Sequence, residues 1–437
     1  MSTLTIVGAG PKALAVAAKA HVARHLGLDV PEMTVIDPHG VGAHWLAAGG
    51  WTDGRHRLGT SPEKDLGFPY RTELTGDHRI DTEIDRGMSA LSWTSHLIDA
   101  GTYAGWIDRG RPQPMHSEWA AYLRWVSERI GLTPVPGRVT NAEVSDGGWR
   151  VRVEDTISGT PRILSSEALM LTGPGTSERR FLQHSNVLSV AGFWARVAAD
   201  TRFTGRVCVV GGGETAASII EELTTHRVAE IITIAPTACL LSRGENFQEN
   251  ALYTDPEIWT SLDAATRRAM LCRTDRGVLS LQSLELIGRD GRCRHVMGSV
   301  SSVTAGAVGP VVHVEQPGSS IAADTVIDAR GADPSWFLGL LGGGARARLA
   351  AAAGFDPHEE VRSAAFVTGI EGSIRRDLTV DGMNPTLVLP TLAGFNQGPG
   401  FGNLSCLGLL ADRILGGIAG EGDGLVSVGS RATSDRV

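Results

Sequence analysis

Two glycine-rich runs and a few isolated polar side chains are the residues of this chain whose types and spacing could do chemistry. Gly8-Ala9-Gly10-Pro11-Lys12-Ala13 and Gly211-Gly212-Gly213-Glu214-Thr215-Ala216 both spell G-x-G-x-x-A. In such a run the first glycine (Gly8, Gly211) permits a tight turn. The second (Gly10, Gly213) lets backbone approach a pyrophosphate, and the small last residue (Ala13, Ala216) lets a helix pack closely on its strand. The diphosphate then sits at the helix N-terminus, where unpaired N–H groups and the helix dipole favour negative charge. The chemistry on offer is the capture of two dinucleotides.

The flanking elements decide whether the runs can act this way. Leu4-Thr5-Ile6-Val7 reads as a buried strand before the first run. Met33-Thr34-Val35-Ile36 reads as the next strand, ending in Asp37, where a carboxylate can take a ribose hydroxyl. An acid there suits FAD or NAD. Arg206-Val207-Cys208-Val209-Val210 precedes the second run, and Glu230-Ile231-Ile232-Thr233-Ile234 follows it. That strand ends in Ala235-Pro236, which supplies neither an acid for a 2′-OH nor an arginine for a 2′-phosphate, so NADH and NADPH both stay open. Two such units, the second inserted midway, are the layout of flavin–nicotinamide oxidoreductases, in which one nucleotide is resident and the other delivers hydride.

Two further strand runs resemble the crossings between domains of that class. Ala168-Leu169-Met170-Leu171 ends in Thr172-Gly173-Pro174-Gly175, and Thr325-Val326-Ile327-Asp328 ends in Ala329-Arg330-Gly331. The expected fold is α/β, with two Rossmann-like dinucleotide-binding domains (FAD and NAD(P)H) and a small, mostly helical substrate-binding insertion. The boundaries follow as a discontinuous FAD domain at 1–190 and 334–420, a nicotinamide domain at 191–240 and 292–333, and the insertion at 241–291. The polar tail 421–437 is expected to be disordered.

Composition removes several alternatives. The net charge of −8 carries no long run of one sign, which argues against nucleic acid or an anionic membrane as partner. No apolar stretch approaches the ~18 residues a membrane span needs. The N-terminus enters a strand run without a charged region or cleavage site, so the cytoplasm is the expected compartment. The five cysteines are scattered without a C-x-x-C, which excludes a redox dithiol, a zinc knuckle and a disulfide framework. No metal is expected. Glycine is the informative excess, 55 of 437 residues, roughly twice average usage.

Longer segments narrow the class. They are Gly42-Ala43-His44-Trp45, Gly49-Gly50-Trp51-Thr52-Asp53-Gly54, and Leu58-Gly59-Thr60-Ser61-Pro62-Glu63-Lys64-Asp65-Leu66-Gly67-Phe68-Pro69-Tyr70. Further along come Asn246-Phe247-Gln248-Glu249-Asn250, Thr274-Asp275-Arg276-Gly277-Val278 and a closing block from Gln397 through Phe401-Gly402-Asn403 to Leu410. With these segments, and without the F-x-G-x-x-x-H pattern of Baeyer–Villiger and mammalian-type flavin monooxygenases, the chain resembles the microbial N-hydroxylating flavin monooxygenases. Within them it is most similar to the L-lysine N6-hydroxylases of mycobactin and nocobactin siderophore biosynthesis.

The resemblance implies FAD and NADPH as cofactors, with NADH also accepted, L-lysine and O2 as reactants, and a homo-oligomer, dimer or tetramer. Lys64 would pair with the substrate carboxylate, a solvated surface lysine being the structural alternative. Asn250 would hydrogen-bond the substrate's backbone groups, against a role as helix cap. Trp45 and Ser61 would lie along the flavin, core packing being the alternative for Trp45. The Phe401-Gly402-Asn403 backbone would approach the isoalloxazine. Asp275 stands where ornithine hydroxylases have an asparagine near substrate and cofactor. Ala235 replaces their phosphate-binding arginine, and Gly59 replaces a glutamine at the flavin. These departures favour lysine over ornithine. The oxygen chemistry belongs to the flavin, so no protein residue is expected to be catalytic. An ornithine or diamine hydroxylase, and an uncoupled flavin-binding redox scaffold, are the competing readings.

Overall fold

The computed structural model describes residues 2–315, 318–356 and 363–419. The tail expected to be disordered at 421–437 lies outside them. Leu4 to Val7 fall in the strand Thr3–Val7, inside a seven-stranded sheet. The strand order is Thr386–Val388, Ala168–Leu171, Thr3–Val7, Glu32–Asp37, Val135–Ser145, Gly148–Asp155 and Pro161–Ser166. The first five run parallel and the last two turn back antiparallel. A parallel sheet is covered on both faces and needs continuous apolar strands, and all four residues of Ala168–Leu171 are buried. Between Glu32–Asp37 and Val135–Ser145 the helices His78–Ser89, Trp93–Asp99, Tyr103–Asp108 and His116–Arg129 bring Trp93, Trp106, Trp119 and Tyr122 into one aromatic cluster.

The second sheet is parallel throughout, in the order Cys293–Met297, Arg227–Ala235, Thr204–Val210, Thr325–Asp328 and Val187–Leu188. Its first strand in the chain, Val187–Leu188, precedes the domain boundary expected at 191. A two-residue edge strand with no periodicity of its own left no sign in the sequence. A three-stranded antiparallel sheet, Val300–Ala305, Pro310–Val314 and Ser319–Ala322, packs on one face through Val303, Val312 and Val314. Within 241–291 lie the helices Phe247–Thr254, Pro256–Thr260, Ala264–Thr274 and Leu281–Arg289.

Both crossing strands lie beside a fingerprint strand. Ala168–Leu171 pairs with Thr3–Val7, and the Thr172 N–H donates to the Val7 carbonyl at 3.1 Å. Thr325–Asp328 pairs with Thr204–Val210, and the Ala329 N–H donates to Val210 at 2.9 Å. Each crossing therefore ends against the turn that would hold a diphosphate.

The first sheet is completed from the far end of the chain. Helix Pro11–His25 buries every residue from Lys12 to Ala20 and packs against the helix Leu407–Ala419. Across this contact Lys19, 1% exposed, donates to Asp412 at 2.6 Å, to the Gly408 carbonyl at 2.9 Å and to the Thr72 hydroxyl at 3.0 Å. Burial pushes the Asp412 carboxyl up to about 6, opposed by Lys19. Removing one partner of a buried, hydrogen-bonded pair strands the other charge, at a cost of about 3–5 kcal/mol. Asp412→Ala is therefore expected to lower the urea midpoint of this domain's unfolding, and an unchanged midpoint would show that the pair contributes nothing.

Candidate functional site

The first fingerprint forms a turn open at its mouth. Gly8 has φ +100°, where a Cβ would collide with the Thr172 hydroxyl, so a larger residue is excluded. Gly10 caps helix Pro11–His25 without a side-chain hydrogen bond, leaving the first-turn N–H groups free of a side-chain cap. A Cβ on Gly10 would meet nothing within 4 Å, so the space a pyrophosphate needs lies open there. The Asp37 carboxylate is fixed at the same turn. One oxygen accepts from Ala9 N–H at 2.9 Å, and the other from His39 and Gly40 N–H at 2.8 and 2.9 Å. Each oxygen has a second lone pair, so the group can still take a ribose hydroxyl.

The second fingerprint has the same form with a different charge at its mouth. Gly211 has φ +144°, and a Cβ there would strike the Ala329 carbonyl. Gly213 caps helix Glu214–Thr224, with Ala216 buried against its strand. Glu214 at the first helical position lines a crevice between the two units, its side chain still 46% exposed, and desolvation raises its carboxyl against the pull of Arg243. The strand Arg227–Ala235 ends before exposed Pro236. Arg243, a candidate for a 2′-phosphate, donates instead to the Gly59 carbonyl and lies 3.8 Å from Glu214.

The crevice divides into two cavities that share Gly59, Thr60, Arg243 and Ser405. One, of about 290 Å³, is lined by Ser61, Lys64, Asn250 and Tyr253. The other, of about 220 Å³, is lined by Trp45, His44, His116, Glu214 and Asn403. At Gly59 the two units come close, since a Cβ there would lie 3.0 Å from the Glu214 carboxylate and 3.1 Å from Arg243.

In the first cavity the Lys64 ammonium donates to Asn250 Oδ1 at 2.8 Å, joining residues 186 apart in sequence. Asn250 sits within helix Phe247–Thr254, whose cap is Asn246, so capping does not explain it. The loop that carries Lys64 is fixed at the next residue, Asp65, which accepts from the N–H groups of Trp93 and Gly67 at 2.9 and 3.1 Å and from the Tyr70 hydroxyl at 2.7 Å. Burial brings the Lys64 ammonium down to about 8, helped by Arg243. The Ser61 hydroxyl accepts from Glu63 N–H at 3.3 Å.

In the second cavity Trp45 meets His44 and His116 edge to face, at 5.0 Å each, and its buried indole N–H has no partner among the described residues. Burial holds His44 at about 4 and His116 at about 3, so both imidazoles are neutral near pH 7. Asn403 Nδ2 donates to Asp275 at 3.0 Å. Asp275 thus lies behind Asn403 and does not line the Lys64 cavity. The Phe401 ring is buried under the Arg413 guanidinium, 4.3 Å from its centroid, which leaves only backbone to face a ligand. Glu214, the three histidines His44, His56 and His116, and a buried Lys12 carried no spacing signal. Lys12 alone was open to notice, as a cation in the first turn of an anion-binding helix.

Comparison with known proteins agrees with this geometry. The family model for L-lysine 6-monooxygenase/L-ornithine 5-monooxygenase matches residues 85–287. The L-lysine N6-monooxygenase MbtG of Mycobacterium sp. (strain MCS) is 47% identical over 425 residues, covering 95% of each chain. This chain belongs to the L-lysine 6-monooxygenase/L-ornithine 5-monooxygenase family. MbtG of Mycobacterium tuberculosis (strain ATCC 25618 / H37Rv) is 44% identical over 428 residues, 95% of this chain and 94% of that one. Among solved structures, lysine monooxygenase NbtG from Nocardia farcinica, noted for an unprecedented NADPH domain conformation, superposes with a TM-score of 0.84 at 43% identity, covering 94% and 98% of the two chains. The ornithine N-hydroxylase KtzI of Kutzneria sp. 744 shares the fold at a TM-score of 0.73 and 18% identity, covering 96% and 99%.

The open mouth at Gly10 gives a direct test of the first unit. Gly10→Val should fill the pyrophosphate's space without a clash inside the protein. The variant is expected to fold with the wild-type circular dichroism spectrum and to lose its dinucleotide. Full retention of the ligand would mean that the diphosphate lies elsewhere.

Proposed function

We propose that this chain is an FAD- and NAD(P)H-dependent monooxygenase that hydroxylates the N6 nitrogen of L-lysine, with O2 as co-substrate, for siderophore biosynthesis. The observation that carries the reading is the Lys64–Asn250 pair, which lines one cavity of the crevice. Its support in kinship is near-full-length identity with L-lysine N6-monooxygenases. FAD belongs to the unit of Gly8, Gly10, Ala13 and Asp37, the nicotinamide nucleotide to that of Gly211, Gly213 and Ala216. Bound FAD supplies hydride acceptance and oxygen activation.

The protein's part is to place an amine and keep it neutral. The Lys64 ammonium, now occupied by Asn250, is free to exchange that neutral acceptor for the substrate α-carboxylate, a stronger charge-assisted bond. Asn250 then has its amide available for the substrate's α-groups. A lysine ammonium has a pKa near ~10.4 in water, and oxygen transfer needs its lone pair free. Desolvation and nearby cations favour the neutral amine, and Arg243 already depresses Lys64 in this crevice. Trp45, Trp51 and the neutral His44 and His116 wall one side of the second cavity with rings, and Glu221 on its lining is engaged by His56 and Ser283. Assembly as a homo-oligomer and a place in the cytoplasm belong to the same reading.

The deciding assay is hydroxylamine formation with lysine, ornithine and cadaverine side by side. Lysine is expected to give product and the other two little. Peroxide without hydroxylamine from any of them would favour an uncoupled flavoprotein.

Lys64→Ala should cost about 1.5–3 kcal/mol, roughly ten- to a hundredfold, mostly as raised KM for lysine. Flavin reduction should change far less, and an equal loss in both would make Lys64 structural. The same anchor predicts a pH effect. Lys64 is charged below about 8 and loses its proton above it, so KM for lysine should rise as pH passes upward through that value. A KM that stays flat to pH 9.5 would separate the carboxylate from Lys64.

With Ala235-Pro236 at the strand end and Arg243 turned to Gly59, NADPH should be preferred over NADH by less than the roughly hundredfold that one arginine–phosphate pair supplies. A kcat/KM ratio near a thousand would place an unrecognised cation at the 2′-phosphate.

A further inference from the structure

Lys12 is the second residue of helix Pro11–His25, where the helix dipole disfavours a cation. Its side chain is nonetheless 7% exposed, and Nζ donates to the carbonyls of Phe401 and Gly402 at 2.7 Å each. Those donations tie the ammonium to the closing segment and away from a diphosphate at the helix mouth. On the opposite flank Asp275, just past helix Ala264–Thr274, accepts from Asn403 Nδ2 at 3.0 Å. Three consecutive residues are thus gripped by two opposite charges that come from distant parts of the chain.

The two charges depend on each other. Burial lowers the Lys12 ammonium to about 7, and the one Coulombic influence opposing it is Asp275. Burial likewise raises the Asp275 carboxyl, and Lys12 is among the groups that draw it back, together with Asn403, Arg243 and Arg276. Asn403 lines the crevice, whereas Lys12 and Asp275 stand behind it. Neither can act on a ligand in that cavity except through the turn they hold.

We propose that Lys12 and Asp275 form a charge-coupled clamp that sets the Phe401-Gly402-Asn403 turn against the flavin, which makes both of them positioning residues of the FAD site. The clamp rests on the reading that FAD occupies the first unit. A dinucleotide fingerprint does not itself call for a lysine at this position, since its two x residues are unrestricted. The grip also explains why Asp275, outside the lining of the Lys64 cavity, is fixed in place: it anchors the end of helix Ala264–Thr274 to the closing segment.

The test is a double-mutant cycle of Lys12→Met and Asp275→Asn, read as FAD dissociation constant, visible circular dichroism of bound flavin and flavin midpoint potential. Lys12→Met is expected to weaken FAD by about tenfold, the worth of one buried charge-assisted bond, and to change the visible dichroism. Asp275→Asn should move all three readouts in the same direction by less, because Lys12 keeps its two carbonyls. The double variant should be no worse than Lys12→Met, since either single change already breaks the coupling. If Lys12→Met fails to fold, Asp275→Asn carries the test alone, and a folded Asp275→Asn protein with wild-type affinity, dichroism and potential overturns the clamp. Strictly additive losses overturn the coupling. A wild-type chain that takes up no FAD overturns the functional reading and the clamp with it, whereas a yellow wild type with indifferent variants overturns the clamp alone.

Discussion

Two buried ammonium groups on one helix hold the molecule's far ends together, and the crevice depends on them. Lys12 and Lys19 are seven residues apart, two turns of helix, so they project from the same face. Lys12 takes the Phe401 and Gly402 carbonyls, and Lys19 takes Gly408 and Asp412. A buried ion pair adds little to stability over an apolar contact of the same shape, but a broken one is costly. What this arrangement gives is register. The returning chain can dock on the first sheet in one alignment, and that alignment puts Asn403 in the crevice wall.

The crevice itself is built from charges that are each held near neutrality or near a partner. Lys64 at about 8, Glu214 with its carboxyl raised and the uncharged His44 and His116 sit around Arg243. A zwitterionic amino acid meets a cation suited to its carboxylate at Lys64, while Glu221 in the neighbouring cavity is taken up by His56 and Ser283. That asymmetry fits the kinship with L-lysine N6-monooxygenases and asks for no nucleophile or metal from the protein.

Much of this was legible in the sequence because its signals are local. Strand, glycine turn and helix follow one another within a few residues at 4–25 and 206–224, and both crossings end in small residues that must meet those turns. Lys64 and Asn250 were legible only through resemblance, since nothing in either residue announces a partner 186 positions away. Asn246 and Asn250 look alike in sequence, and only the helix start at Phe247 makes the first the cap and leaves the second for Lys64. Val187–Leu188 joined the second sheet ahead of the expected boundary because two apolar residues carry no period. The Lys12 and Lys19 contacts span about 390 positions, beyond the reach of any local pattern.

Lys12 and Lys19 also bear on how the chain is made. The ribosome releases their helix about 390 residues ahead of its acceptors, Phe401 to Asp412. Until then the nascent first domain carries two ammonium groups on a face meant for the interior. Vectorial synthesis therefore makes this domain wait for the returning segment, while the inserted second unit, whose last sheet strand ends at residue 328, can close its own sheet before that. A chaperone that shields the early helix would be guarding a docking face whose partner is still untranslated.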